Sequence, residues 1–189
     1  MILETIDFKP FFEHVESIFN NHFSAEETQR IMEFVEILAD ANFRCYKANA
    51  LVIAERKKDT VDNKLIADLE WVARSVGEYR VASKAHINKY IATVKSVKEP
   101  TEAISWVSDD VVYSIGEMMD RLSIETIKRE DFRVNDRSQH MTDSCQALSD
   151  RVEKYLIQKL EEINKKGFYE CVAEQRTYAI EQILNELVL

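Results

Sequence analysis

The sequence predicts an all-α fold, a bundle of about six helices, several of them long and mostly antiparallel, and three observations carry that expectation. Only 3 Gly and 2 Pro occur in 189 residues, so the residues that make hairpins and tight turns are nearly missing and the elements must be few and long. Apolar residues recur at three- and four-residue spacing through most of the chain, the period of a helix with one buried face. Helix start and stop signals bracket those periodic stretches. At 22.1 kDa the chain is long enough for one domain with a real core, and a single domain over residues 1–189 is expected.

The first helix is expected from about Lys9 to Asn20, with Pro10 in the first turn, where its missing N–H is not needed. Phe11, Phe12, Val15, Ile18 and Phe19 form its apolar stripe. Ser24 followed by Glu27 is a capping box that starts a second helix, about 25–57. One face of it carries Ile31, Val35, Leu38, Asn42 and Cys45, another Met32, Ala39, Phe43 and Tyr46, and only a narrow stripe from Glu33 to Lys47 is polar. A helix of that kind is covered on several sides or meets another subunit.

A polar turn around Arg56–Asp62 leads into a third helix, about 62–97. Its stripe reads Leu65, Leu69, Val72, Val76 and Tyr79, passes through Ser83, and resumes at Ile87. Gly77 beside it suggests a kink or a close helix crossing. Thr101 is placed to cap a fourth helix that runs through Ile104, Val107 and Val111 to Ser123; residues 123–137 read as a short helical turn and a loop. A fifth helix starts near Ser138 and ends at a Lys165-Lys166-Gly167 cap. A sixth, 168–187, is followed by an apolar end expected to dock.

The net charge of −9 is unevenly spread. Residues 1–40 carry 2 basic and 9 acidic groups, 41–98 carry 12 and 6, 99–136 carry 4 and 10, and 137–189 carry 7 and 9. The net charge argues against simple coating of nucleic acid or anionic membrane, and a basic middle between acidic flanks argues for attraction between neighbouring helices. Cys45, Cys145 and Cys171 are odd in number and lie among apolar residues, which reads as reduced thiols in a cytoplasmic protein. The N-terminus lacks the basic start of a secretory signal, and no apolar run approaches a membrane span.

Chemical motifs are sparse. There is no Glu-x-x-His pair for a di-iron bundle, no His-Glu-x-x-His, no paired Cys-x-x-Cys and no Gly-rich phosphate loop, so neither a metal nor a cofactor is expected. Two constellations stand out. On one side of the third helix Arg80, Lys84, Asn88, Lys95 and Lys98 fall within about a quarter of the circumference, a line that can follow phosphates, stay solvated, or meet the chain's own acidic helices. Arg133 and His140, with six residues between them, resemble the Arg-x4-6-His motif of HEPN ribonucleases, all-α proteins of similar size. That resemblance implies that Arg and His, usually across a dimer interface, bind the scissile phosphate and assist proton transfer, with Arg137 nearby. Here Val134 follows the Arg, where the family commonly has a polar residue, and a second match, Arg80 with His86, lies in mid-helix.

The leading expectation is a non-enzymatic interaction or regulatory protein that acts through protein–protein contacts and self-associates, of the kind found among small phage or bacterial accessory factors. The alternatives are a HEPN-like, metal-independent ribonuclease using Arg133, Arg137 and His140, and a nucleic-acid binder using the basic stripe of the third helix. Membrane association is not expected.

Overall fold

The computed structural model describes residues 2–95 and 114–166. Every regular element among them is helical: α1 (Lys9–Asn20), α2 (Ala25–Glu55), α3 (Asn63–Val94), α4 (Ile115–Val134) and α5 (Gln139–Lys166). No helix among the described residues is long and apolar enough to cross a membrane.

The caps explain the boundaries. Pro10 lies in the first turn of α1. At Ser24 the hydroxyl accepts from the Glu27 N–H while the Glu27 carboxylate accepts from the Ser24 N–H at 2.8 Å, so two donors that a helix start leaves open are satisfied. Asp62 caps α3 by accepting from the N–H groups of Lys64 and Leu65. Ser114 and Glu117 form a second capping box at the start of α4.

Two expectations are corrected here. The fourth helix was expected to run unbroken from the Thr101 cap to Ser123, but Ser114 is extended and caps a helix that starts at Ile115; of the six or so helices expected, five lie among the described residues, and the sixth and the Thr101 cap lie outside them. The stretch expected to be a short turn and a loop after Ser123 is continuous helix to Val134. Ser123 and Glu125 interrupted the apolar pattern without interrupting the helix, because both are buried polar residues with partners. Only Asn135–Ser138 turn the chain into α5, with Asp136 at a positive φ of 50°.

One hydrophobic core joins all five helices. Val15 and Phe19 of α1, Ile31, Val35 and Leu38 of α2, Ile87 and Ile91 of α3, Met118 and Met119 of α4 and Leu156 and Leu160 of α5 pack in it, each almost fully withdrawn from water. Burial of one such side chain stabilises by about 1.5–3 kcal/mol. The core draws on the first half of α2 and the last third of α3. Arg56 beside the end of α2 pairs with Glu70 early in α3, and Phe34 early in α2 stacks on His86 late in α3, so α3 folds back along α2.

Away from that core the α2–α3 pair thins out. From residue 48 to residue 75 only Ala48, Val52, Glu55 and Ile66 are buried. The stripe expected to be a covered face of α3 is covered only in its middle: Val76 is buried and Leu69 and Val72 are partly buried, but Leu65 is 40% and Tyr79 64% exposed. We refer to the hairpin from residue 48 to residue 81 as the arm.

The close crossing suggested for Gly77 occurs two turns further along α3, at Lys84. A Cβ on Gly77 would meet nothing within 4 Å, whereas one on Gly116 would lie 2.5 Å from the Lys84 carbonyl oxygen and 2.8 Å from its Cα. Backbone on backbone cannot yield as a flexible side chain can. Gly77→Ala should therefore stabilise the protein by up to about 1 kcal/mol and Gly116→Ala destabilise it by about 1–3 kcal/mol. Urea unfolding of the two variants checks the opposite signs.

Candidate functional site

A polar node sits where α2, α3 and α4 meet. Asn42, in the apolar face of α2, is 3% exposed, and its side-chain amide donates to Asp120 Oδ1 at 2.8 Å and to Ser123 Oγ at 2.7 Å. Ser123 passes its own proton to the Asp120 carbonyl at 2.9 Å. From α3, Arg80 donates to both Asp120 carboxylate oxygens, at 2.9 and 3.2 Å, and Lys84 Nζ stands 3.8 Å from Oδ2. Burial works against the Arg80 charge, but the Asp120 carboxylate outweighs it and holds the guanidinium above its ordinary pKa. One buried carboxylate thereby binds three helices.

A second buried carboxylate of α4 is paired within its own helix. Glu125, 1% exposed, pairs with Arg121 at 2.9 Å and Lys128 at 3.1 Å. Burial, and then the neighbouring Glu125 carboxylate, push the Cys145 thiol up to about 12. A thiol held protonated in this way is a poor nucleophile. Tyr46 is also pushed up to about 12, first by burial and then by Asp131, to which its hydroxyl donates.

The basic stripe expected on α3 is turned toward the rest of the chain. Arg80 and Lys84 face Asp120, and Asn88 accepts the Gly116 N–H at 2.9 Å. Lys95 donates to the His22 carbonyl at 2.9 Å and lies over the Phe23 ring. Lys98 lies outside the described residues. The four described members thus join α3 to α4 and to the α1–α2 corner. This is the intramolecular arrangement that the basic middle and acidic flanks suggested, since the acid that meets Arg80 belongs to the acidic stretch 99–136.

The arginines of the HEPN-like motif come to one cleft. A depression of about 400 Å³ between the N-terminal segment, the end of α4 and the start of α5 is lined by Asp7, Arg129, Glu130, Arg133, Asp136 and Arg137 among others. Arg133 is bound by its neighbour on the same helix, donating to both Glu130 oxygens at 2.5 and 2.9 Å. Those hydrogen bonds raise the Arg133 pKa and lower that of Glu130. Three arginines face three carboxylates in this lining, so it offers no unbalanced positive field. His140 is exposed in the first turn of α5 and does not line the cleft. The second Arg–His match is divided between neighbours, Arg80 on Asp120 and His86 on Phe34. Among the described residues no three His, Cys, Asp or Glu side chains converge as metal ligands.

The surface that sequence reasoning missed is the arm. Ile53, Val61, Leu65, Trp71, Tyr79 and Val81 are all exposed, from 38% at Val61 to 68% at Trp71. Trp71 is the most exposed of them. The signal was present in α3 itself: at helical spacing Trp71 falls on the side opposite Ile66, Val76, Ile87 and Ile91, the residues that α3 buries.

No protein-family model, no curated protein and no solved structure matches this chain. The class defined by fold and geometry is an all-α helical protein.

Removing the carboxylate of the node leaves Arg80 and Asn42 without their shared acceptor. Asp120→Ala is expected to cost about 2–4 kcal/mol, below the full range for a buried pair because the Arg80 side chain keeps some contact with water. Glu130→Ala, which releases the exposed Arg133, should cost no more than about 1 kcal/mol. Chemical denaturation of both variants measures the difference.

Proposed function

We propose that this chain is a non-enzymatic interaction protein that works through protein–protein contacts, with the arm as its contact surface. The observation that carries the reading is the concentration of exposed apolar side chains there: six of the nine large hydrophobic residues exposed among the described residues lie between Ile53 and Val81. Exposed aromatic and aliphatic groups gathered along one hairpin mark a contact site more often than a solvated face. The polar node at the base of the arm fixes where the helix pair leaves the body. The cleft at Arg133 and Arg137 and the cations of α3 give weaker support to catalysis or nucleic-acid binding, because their charges are balanced within the chain.

A photo-crosslinking residue placed at Trp71, and in a separate protein at the exposed Gln158 of α5, tests the reading in cells. Protein adducts from position 71 and none from 158 are expected. Equal labelling at both positions would overturn the proposal, as would RNA cleavage by the purified protein that His140→Ala abolishes without changing the fold.

A further inference from the structure

Resting on that reading, we infer that the arm's partner is a second copy of the same chain, joined about a two-fold axis that passes beside Ser75 of α3. The geometry follows from the spacing of the outward residues. Trp71, Ser75 and Tyr79 stand at i, i+4 and i+8, one ridge of the helix, with the small Ser75 at its centre. An isologous contact pairs each position with the one equally far on the other side of the axis. Trp71, one turn before Ser75, is therefore brought beside Tyr79 of the second copy, one turn after it, and this happens twice. These are the two most exposed aromatic residues among the described residues, at 68% and 64%. Two such ring contacts at the centre of a small interface are each worth about 0.5–1.5 kcal/mol beyond the area they bury.

Charge points the same way. Arg74 and Glu78 are exposed, and neither has an ion-pair partner among the described residues. They lie on the same flank of the ridge, one residue before and three residues after Ser75. The two-fold operation sets Arg74 of one copy within about 3 Å along the axis of Glu78 of the other, again twice. The arm is also the part of the chain that can meet itself without repulsion. Residues 48–79 carry 5 basic and 6 acidic groups, while the whole chain carries −9.

A contact of two crossing helices falls in the small, transient class of interface, below roughly 1,200 Å² in total. The dimer should therefore form with concentration and have a dissociation constant in the micromolar range. Light scattering on the full chain from low to high micromolar concentration should show the mass rising from 22.1 kDa toward twice that value. Trp71→Glu should hold it at monomer mass with unchanged thermal unfolding. Glu78→Arg should weaken the dimer at least tenfold, and Arg74→Glu combined with Glu78→Arg should restore it. Oxidised Ser75→Cys protein should give a disulfide between the two position-75 residues, identified by mass spectrometry, while Gln158→Cys should give no symmetric link. A wild-type chain that stays monomeric throughout overturns the inference, and so does a dimer indifferent to Trp71→Glu that forms no 75–75 link. Adducts from position 71 to a different protein, with the purified chain monomeric, would overturn the second copy as partner and leave the arm as a contact surface. No adduct and no dimer would overturn both.

Discussion

The Asp120 carboxylate is the constraint on which the rest of this architecture depends. It is brought out of water by the packing of α4 against α2 and α3, and such a charge is tolerated only with partners in place. Asn42 and Arg80 supply them from two different helices. That requirement fixes more than a hydrophobic contact can. Apolar side chains slide past one another at small cost, whereas a displacement of α4 by one turn would leave Asp120, Arg80 and Asn42 all without partners. The Gly116 crossing adds a steric stop to the same register, since α4 can approach the Lys84 backbone only where the side chain is absent.

The node also divides the molecule. On one side lies the shared core, where five helices contribute and most apolar positions are withdrawn from water. On the other lies the arm, where two helices face each other across Ala48, Val52 and Ile66. The same α3 helix serves both parts with a continuous apolar stripe. What changes along its length is the cover: Ile87 and Ile91 meet α4 and the core, while Leu65 and Tyr79 are left exposed.

Much of this was legible in the sequence. The boundaries of α1, the Ser24–Glu27 box and the return of the chain near Asp62 follow from local chemistry that tertiary packing did not override. That cations of the basic middle, Arg80 and Lys84, meet an acid of the 99–136 stretch, Asp120, was visible in the charge blocks. The helix after Ser123 was hidden because its buried faces carry polar and charged residues, Ser123, Glu125 and Arg121, that a pattern of apolar spacing reads as loop. The exposure of Tyr79 was hidden for the converse reason. Periodicity tells which side of a helix is apolar and says nothing about whether another element reaches it. The Arg133–His140 spacing could be read directly, but the role of Arg133 depends on Glu130, three residues before it, which turns the guanidinium into one half of a local ion pair.

The division between a pinned body and a lightly buried arm is tested most directly by native-state hydrogen exchange at concentrations where the chain is monomeric. Amides in 48–55 and 63–75 should exchange through openings of clearly lower free energy than those in 31–38, 87–91 and 115–122, because fewer buried contacts must be broken to expose them. Equal protection in the two sets would contradict the account and would mean that the arm is covered as fully as the core.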